Sequence, residues 1–206
     1  MISRQGSGWL SSFASFSIRL PAMSHRCPVL ILPGLGNSGP DHWQSHWERA
    51  DSDCRRVLQD NWDTPDCRNW VLRLDEVLAH QAQPVVLAAH SSACAMVAHW
   101  AHDAAADRLK MVRGALLVAP TDPTGPHYPT GPVGFGPVPL EHLPFASIIV
   151  ASDDDRYLSE SVARHFATAW GSQFVWLRNA GHINAASGHG AWPEGRQLLD
   201  SLRLRD

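Results

Sequence analysis

Short runs of uninterrupted apolar residues recur along this chain: VLIL at 29–32, VVLAA at 85–89, GALLVA at 114–119 and IIVA at 148–151. A half-exposed strand alternates apolar and polar residues, so a run that is apolar throughout is expected to be covered on both faces. Helical patterns separate the runs. Within 65–80, Trp70, Val71, Leu74 and Leu78 fall on one face of a helix. Further helices are expected over 41–50, with Asp41 as N-cap, and over 92–105, 158–170 and 194–202. Shorter strands are expected at 55–58 and 174–177. Strands that alternate with helices and are buried on both faces imply an α/β fold, a mostly parallel sheet with helices on both faces.

The chain has 206 residues, 44% of them hydrophobic, enough for one sizeable core and too few for two. Residues 26–206 therefore read as a single domain. Residues 1–40 contain no acid, and the Ser-rich start carries Arg4 and Arg19. Its apolar run is broken by serines, so 1–25 reads as a disordered N-terminal extension rather than a signal or transit peptide, with Met23 as a candidate start. Formal net charge is −3 with scattered Lys and Arg, which points away from nucleic acid as a partner. No apolar run approaches the roughly 18 residues of a membrane span. The four cysteines, Cys27, Cys54, Cys67 and Cys94, follow no CxxC pattern. They read as reduced thiols of a cytoplasmic protein.

The run at 85–89 passes directly through His90 and Ser91 into the helix at 92–105. A serine at such a strand-to-helix junction occupies the place of a nucleophile elbow, G-x-S-x-G. Here the pentapeptide is Ala89-His90-Ser91-Ser92-Ala93. The turn needs small flanking residues, and alanine is the smallest substitute for glycine. An ordinary serine N-cap is the competing reading of Ser91. A serine nucleophile needs a histidine base and an orienting carboxylate, in this fold in the chain order Ser, acid, His. Asp153, Asp154 and Asp155 follow the run at 148–151, and His182 follows the strand at 174–177. At most one of the three acids can orient the base, which leaves the others solvated or capping. The glycine-rich PGLGNSGPDHW after the first run fits neither phosphate-loop pattern. It suits an oxyanion loop, with the backbone N–H of Leu35 acting beside that of Ser92. Trp43 and Trp47 read as core anchors, and both, with His90, are also expected to wall the substrate pocket. Cys94 should face the core. His42 with His46, and His99 with His102, have helical spacing but no third ligand, so neither a metal nor an organic cofactor is expected. Residues 121–145, dense in Pro and Gly, can be neither helix nor central strand and are expected to border the substrate site.

The stretches LPGLGNSGPDHWQSHWE, QDNWDTPDCRNWV, LAAHSSACAMVAHW, ASDDDRYLS and AGHINAASGHGAWPEG span nearly everything from Cys27 onward. In them the chain resembles the small serine hydrolases of the retinoblastoma-binding-protein-9 and YdeN family. The resemblance implies a compact α/β-hydrolase fold without a large lid domain, a Ser-Asp-His triad and cleavage of simple esters. It makes Ser91 the nucleophile, His182 the base and Asp155 the acid, since the family's acid directly precedes a Pro-aromatic pair. Arg156-Tyr157 stands in that place, so Asp154 is kept as the alternative, and Ala89 and Ala93 depart from the family's glycines. The expected function is hydrolysis of small carboxylic esters, with a small acyl substrate as the partner. Two alternatives are an acyltransferase with the same triad and a protein-interaction module with little turnover. The second is prompted by a family member named for protein binding; the presence of all three triad residue types weighs against it.

Overall fold

Six short strands, drawn largely from the apolar runs, hydrogen-bond side by side in a computed structural model that describes residues 26–204. The extension expected at 1–25 lies outside the described residues. The order along the chain is β1 (Val29–Leu32), α1 (Trp43–Ala50), β2 (Cys54–Arg56), α2 (Cys67–Ala79), β3 (Val85–His90), α3 (Ser92–Asp103), α4 (Ala106–Leu109), β4 (Val112–Val118), β5 (Ala146–Ser152), α5 (Glu160–Trp170), β6 (Gln173–Leu177), a 3-10 turn (Ala185–Ser187) and α6 (Pro193–Arg203). The sheet order is β2-β1-β3-β4-β5-β6, and every pairing is parallel.

Alternate strand residues feed opposite faces, as strand geometry requires. Leu30, Leu32, Leu87, Leu117 and Ile149 meet Trp70 and Leu74 of α2, Met96 and Trp100 of α3, and Phe166 and Trp170 of α5. Val29, Ile31, Val86, Leu116 and Val150 meet Trp43 and Trp47 of α1 and Leu199 and Leu202 of α6. This is the α/β-hydrolase architecture. Among the described residues, no helix is long and apolar enough to cross a membrane.

Several boundaries differ from the sequence expectation. Asp41 does not cap α1. A turn closed by the His42 N–H on the Gly39 carbonyl (3.1 Å) comes first, and His42 Nδ1 then accepts from the Gln44 N–H (3.2 Å). Strand β2 lies earlier than 55–58, in register with β1 through Cys54 and Arg56, and leaves Leu58 exposed. Helix α4 has four residues and no buried face, so it carried no periodic signal. The Pro- and Gly-rich segment between β4 and β5 forms neither helix nor a strand of the sheet. It is a strap pinned across α2 and α5. The backbone of Val133 bonds to Pro65 and Cys67 (2.9 Å each), Phe135 packs on Trp70, and Trp170 Nε1 donates to the Pro139 carbonyl (2.8 Å). Among the described residues there is no lid domain.

Candidate active site

The carboxyl ends of β3, β5 and β6 converge at one edge of the sheet, the edge where open α/β sheets assemble ligand sites. Ser91 stands at the tip of β3 with φ 58° and ψ −128°, a backbone conformation that a side chain makes costly. The surroundings hold it there: its N–H donates to the Val118 carbonyl (2.9 Å), and its carbonyl accepts from the Cys94 N–H (3.0 Å). Ala89 and Ala93 are fully buried on either side, so alanine satisfies the crowding of this turn. Gly34 explains why the facing loop must be glycine. A Cβ there would lie 2.7 Å from Ser91 Cβ and 2.9 Å from the His90 carbonyl oxygen.

His182 bridges the other two ends. Its Nδ1 lies 2.7 Å from Asp155 Oδ2 and its Nε2 lies 3.0 Å from Ser91 Oγ. A carboxylate can only accept, so Nδ1 carries the hydrogen and Nε2 is left to accept from the serine hydroxyl. The Asp155 side chain is 1% exposed, and its second oxygen accepts from the Tyr157 N–H (3.0 Å).

Asp154, the alternative acid, does not reach His182. With its neighbours it ties down the turn that carries the histidine. Asp154 Oδ1 accepts from Ser152 Oγ and from the Gly181 N–H (2.7 Å each), and those bonds hold its carboxyl below the usual range. Ser152 Oγ in turn accepts from the Ala180 N–H (3.0 Å), and Asp153 accepts from the Asn179 N–H (2.8 Å). A solvated or capping role was the sequence expectation for the acids that do not orient the histidine. The cross-loop role depends on the neighbouring β6, which local sequence does not reveal.

Trp43, Trp47 and His90 are not in the cleft, which corrects the expectation that they wall the substrate pocket. Trp43 is 0% exposed, and its Nε1 donates to the Ile183 carbonyl (2.9 Å). His90 is buried, and its Nε2 donates to the carbonyl of His182 (2.9 Å). Both therefore brace the histidine turn from behind. Trp47 does the same further along through the Ala191 carbonyl (2.9 Å). The rings of His182, His90 and His42 follow one another at 4.9 and 4.7 Å. Burial, then the neighbouring His182 and His42, keep His90 neutral and well below its ordinary pKa. Burial, reinforced by Arg56, lowers His42 to about 4.

A cleft of about 200 Å³ opens over Ser91, Ser92 and His182, walled by Leu35, Thr121, Pro129, Tyr157 and Asn184. Ser92 is the first residue of α3, so its N–H has no acceptor within the helix. Among the described residues the Leu35 N–H also has no acceptor, whereas the next two residues donate to the Trp62 and Gly34 carbonyls. Two free N–H groups thus flank the serine. Cys94 is buried in the core, and burial raises its thiol far above the ordinary range. His99 bonds the Phe135 carbonyl and His102 faces Glu141, each away from the cleft. Thr121 and Pro129 come from the segment 121–145 that was expected to border the site, whereas sequence reasoning missed Tyr157 and Asn184. Asn184 and Tyr157 lie inside motifs already singled out, and their nearness to His182 and Asp155 was the available signal.

A family model described as serine hydrolase matches residues 29–201. No curated protein matches the sequence. Among solved structures, a YdeN-like hydrolase from Pectobacterium atrosepticum is 31% identical, with 87% of this chain and 92% of that one covered and a TM-score of 0.76. The ydeN product of Bacillus subtilis is 18% identical, covers 85% and 98%, and has a TM-score of 0.63. A Bacillus cereus carboxylesterase is 17% identical over 87% and 88%, with a TM-score of 0.54. The last two share the fold.

Proposed function

The chain belongs to the serine hydrolase family, and from that premise we propose that it hydrolyses small carboxylic esters through Ser91, His182 and Asp155. The observation that carries this reading is the unbroken hydrogen-bonded row from the Asp155 carboxylate through His182 to the Ser91 hydroxyl, at the tip of a strained elbow. Ser91 Oγ attacks the ester carbonyl as its proton passes to His182 Nε2. Asp155 fixes the ring's tautomer and stabilises the imidazolium that forms. The backbone N–H groups of Leu35 and Ser92 receive the developing oxyanion, a contribution worth roughly 3–4 kcal/mol per donor in comparable sites. Collapse of the tetrahedral species expels the alcohol, which takes the proton from His182 and leaves an acyl-Ser91. Water, deprotonated by the same histidine, then releases the acid. The chemistry calls for neither metal nor organic cofactor, and the small cleft favours short acyl groups.

The test is a fluorophosphonate adduct read by intact mass on the wild type and on Ser91→Ala. The reading expects one adduct on the wild type alone, together with turnover of p-nitrophenyl esters that falls as the acyl chain lengthens. Unlabelled wild type, or hydrolysis that survives Ser91→Ala, defeats it.

A further inference from the structure

The turn after His182 carries a polar side chain that the reaction above leaves unused. Asn184 opens the 3-10 turn, and its Oδ1 accepts from the Ser187 N–H (3.1 Å) and from Ser187 Oγ (3.3 Å). Its own N–H donates back to Ser187 Oγ (2.9 Å), closing a reciprocal cap. A backbone N–H can bond only an acceptor, so the amide is fixed one way round, with oxygen toward the turn. Nδ2 is left on the opposite side. Among the described residues it makes no hydrogen bond, and Asn184 is half-buried in the wall of the cleft that holds Ser91 and His182. An amide anchored on one edge presents its donors on the other with little further loss of freedom.

The reaction's own geometry says which part of the substrate comes near. The oxyanion turns toward the N–H groups of Leu35 and Ser92. The leaving oxygen must take its proton from His182 Nε2, so the alcohol portion passes along the histidine's side of the cleft. Asn184, two residues further along the same turn, forms that side together with Tyr157, whose ring meets His182 edge-on at 4.8 Å.

We propose that Asn184 is a specificity residue: its Nδ2 donates to an acceptor oxygen carried on the leaving alcohol, so that esters of oxygen-bearing alcohols are preferred over those of plain alkanols. The proposal rests on the Ser91–His182–Asp155 reading. It takes as substrate class short acyl esters of polyol- or ether-like alcohols.

The matched pair 2-methoxyethyl acetate and butyl acetate tests it. Both give the same acetyl-enzyme, and an ether oxygen in one replaces a methylene in the other, so kcat/KM isolates the leaving-group contact. The variants are Asn184→Asp, which keeps the capping oxygen and loses the donor, and Asn184→Ala. In both, the methoxyethyl-to-butyl ratio of kcat/KM should fall about 3–10-fold from the wild-type value, the worth of one neutral hydrogen bond. An unchanged ratio, whatever happens to the absolute rates, overturns the proposal and leaves Asn184 as a cap. Fluorophosphonate labelling of wild-type Ser91, run alongside, reports separately on the underlying reading.

Discussion

His90 sits beside Ser91 in sequence and behind it in space. Its ring is buried and neutral, and its one polar contact given by the structure is the Nε2 bond to the His182 carbonyl. Through that bond it holds the His182 ring over Ser91. Phenylalanine fills a similar volume and cannot donate. His90→Phe should therefore lower kcat about tenfold with KM little changed, and slow fluorophosphonate labelling in parallel. It should also cost about 1–3 kcal/mol of stability, because a buried carbonyl loses its partner. Steady-state rates and a urea titration check both parts; unaltered labelling would reduce His90 to packing. At the same scale, Asp155→Asn should leave the fold intact and cut kcat about 10³–10⁴-fold, since the amide can favour the wrong tautomer of His182. Ser91, His182 and a carboxylate were legible because each ends a strand, in the chain order this fold demands. The correct reading of His90 and Trp43 was not. Nearness to Ser91 in sequence, or a place on the first helix, does not say which side of the elbow a ring takes.

Between residues and the molecule lies the pairing of two loops, one after β5 and one after β6. Ser152, Asp153 and Asp154 receive the backbone N–H groups of Ala180, Asn179 and Gly181, so the segment that carries Asp155 also positions the turn that carries His182. Asp154→Ala removes the acceptor for Gly181 and for the Ser152 hydroxyl without touching the Asp155–His182 contact. It should lower kcat several-fold and spare KM, a split that distinguishes a displaced base from a damaged cleft. The sign of its pH dependence follows from the lowered Asp154 pKa. The tether is present above the ordinary carboxylate pKa and is lost as pH falls through the lowered value. The parallel strands and the main helices were readable from apolar runs and helical periodicity, because each buries a continuous face. The failures came where little is buried, in four-residue α4 and the edge strand β2, and at the exact start of α1, where a turn competes with the cap. The strap between β4 and β5 was recognised as irregular from its prolines and glycines. Its docking onto α2 and α5 depends on long-range contacts of Phe135 and Pro139 that leave no local period.

For the whole molecule, the far edge of the sheet is closed by charge rather than by apolar packing. Arg203, its side chain 0% exposed, donates to the Cys27 carbonyl (2.8 Å), to Asp51 (2.8 Å) and to Asp200 (3.4 Å), tying the end of α6 to the start of β1 and the end of α1. Burial works to raise Asp51, yet hydrogen bonds from Arg196, the Asp53 N–H and Arg203 outweigh it and hold the carboxyl well below its usual range. Arg203→Ala leaves Asp51 paired with Arg196 but strips the Cys27 carbonyl of its donor and the end of α6 of its tie to α1. It should therefore lose about 1–3 kcal/mol of stability, with rate per folded molecule retained. Acid acts on the same molecule first through histidine. His42 has Nδ1 occupied by the Gln44 N–H, so Nε2 carries its hydrogen, buried without a partner among the described residues. Its pKa drops from 6.5 to about 4 on folding, so between those values the unfolded chain binds the extra proton and stability falls as pH falls. The shift is worth on the order of 3 kcal/mol across that window. Asp51 adds its share only below the ordinary carboxylate pKa, where its unfolded form protonates and its folded form does not. His42→Asn keeps a capping acceptor for α1 and cannot titrate. Its urea midpoint should decline less steeply than the wild type's between pH 6.5 and 4, and equal slopes would place the acid sensitivity on another group, His90 foremost.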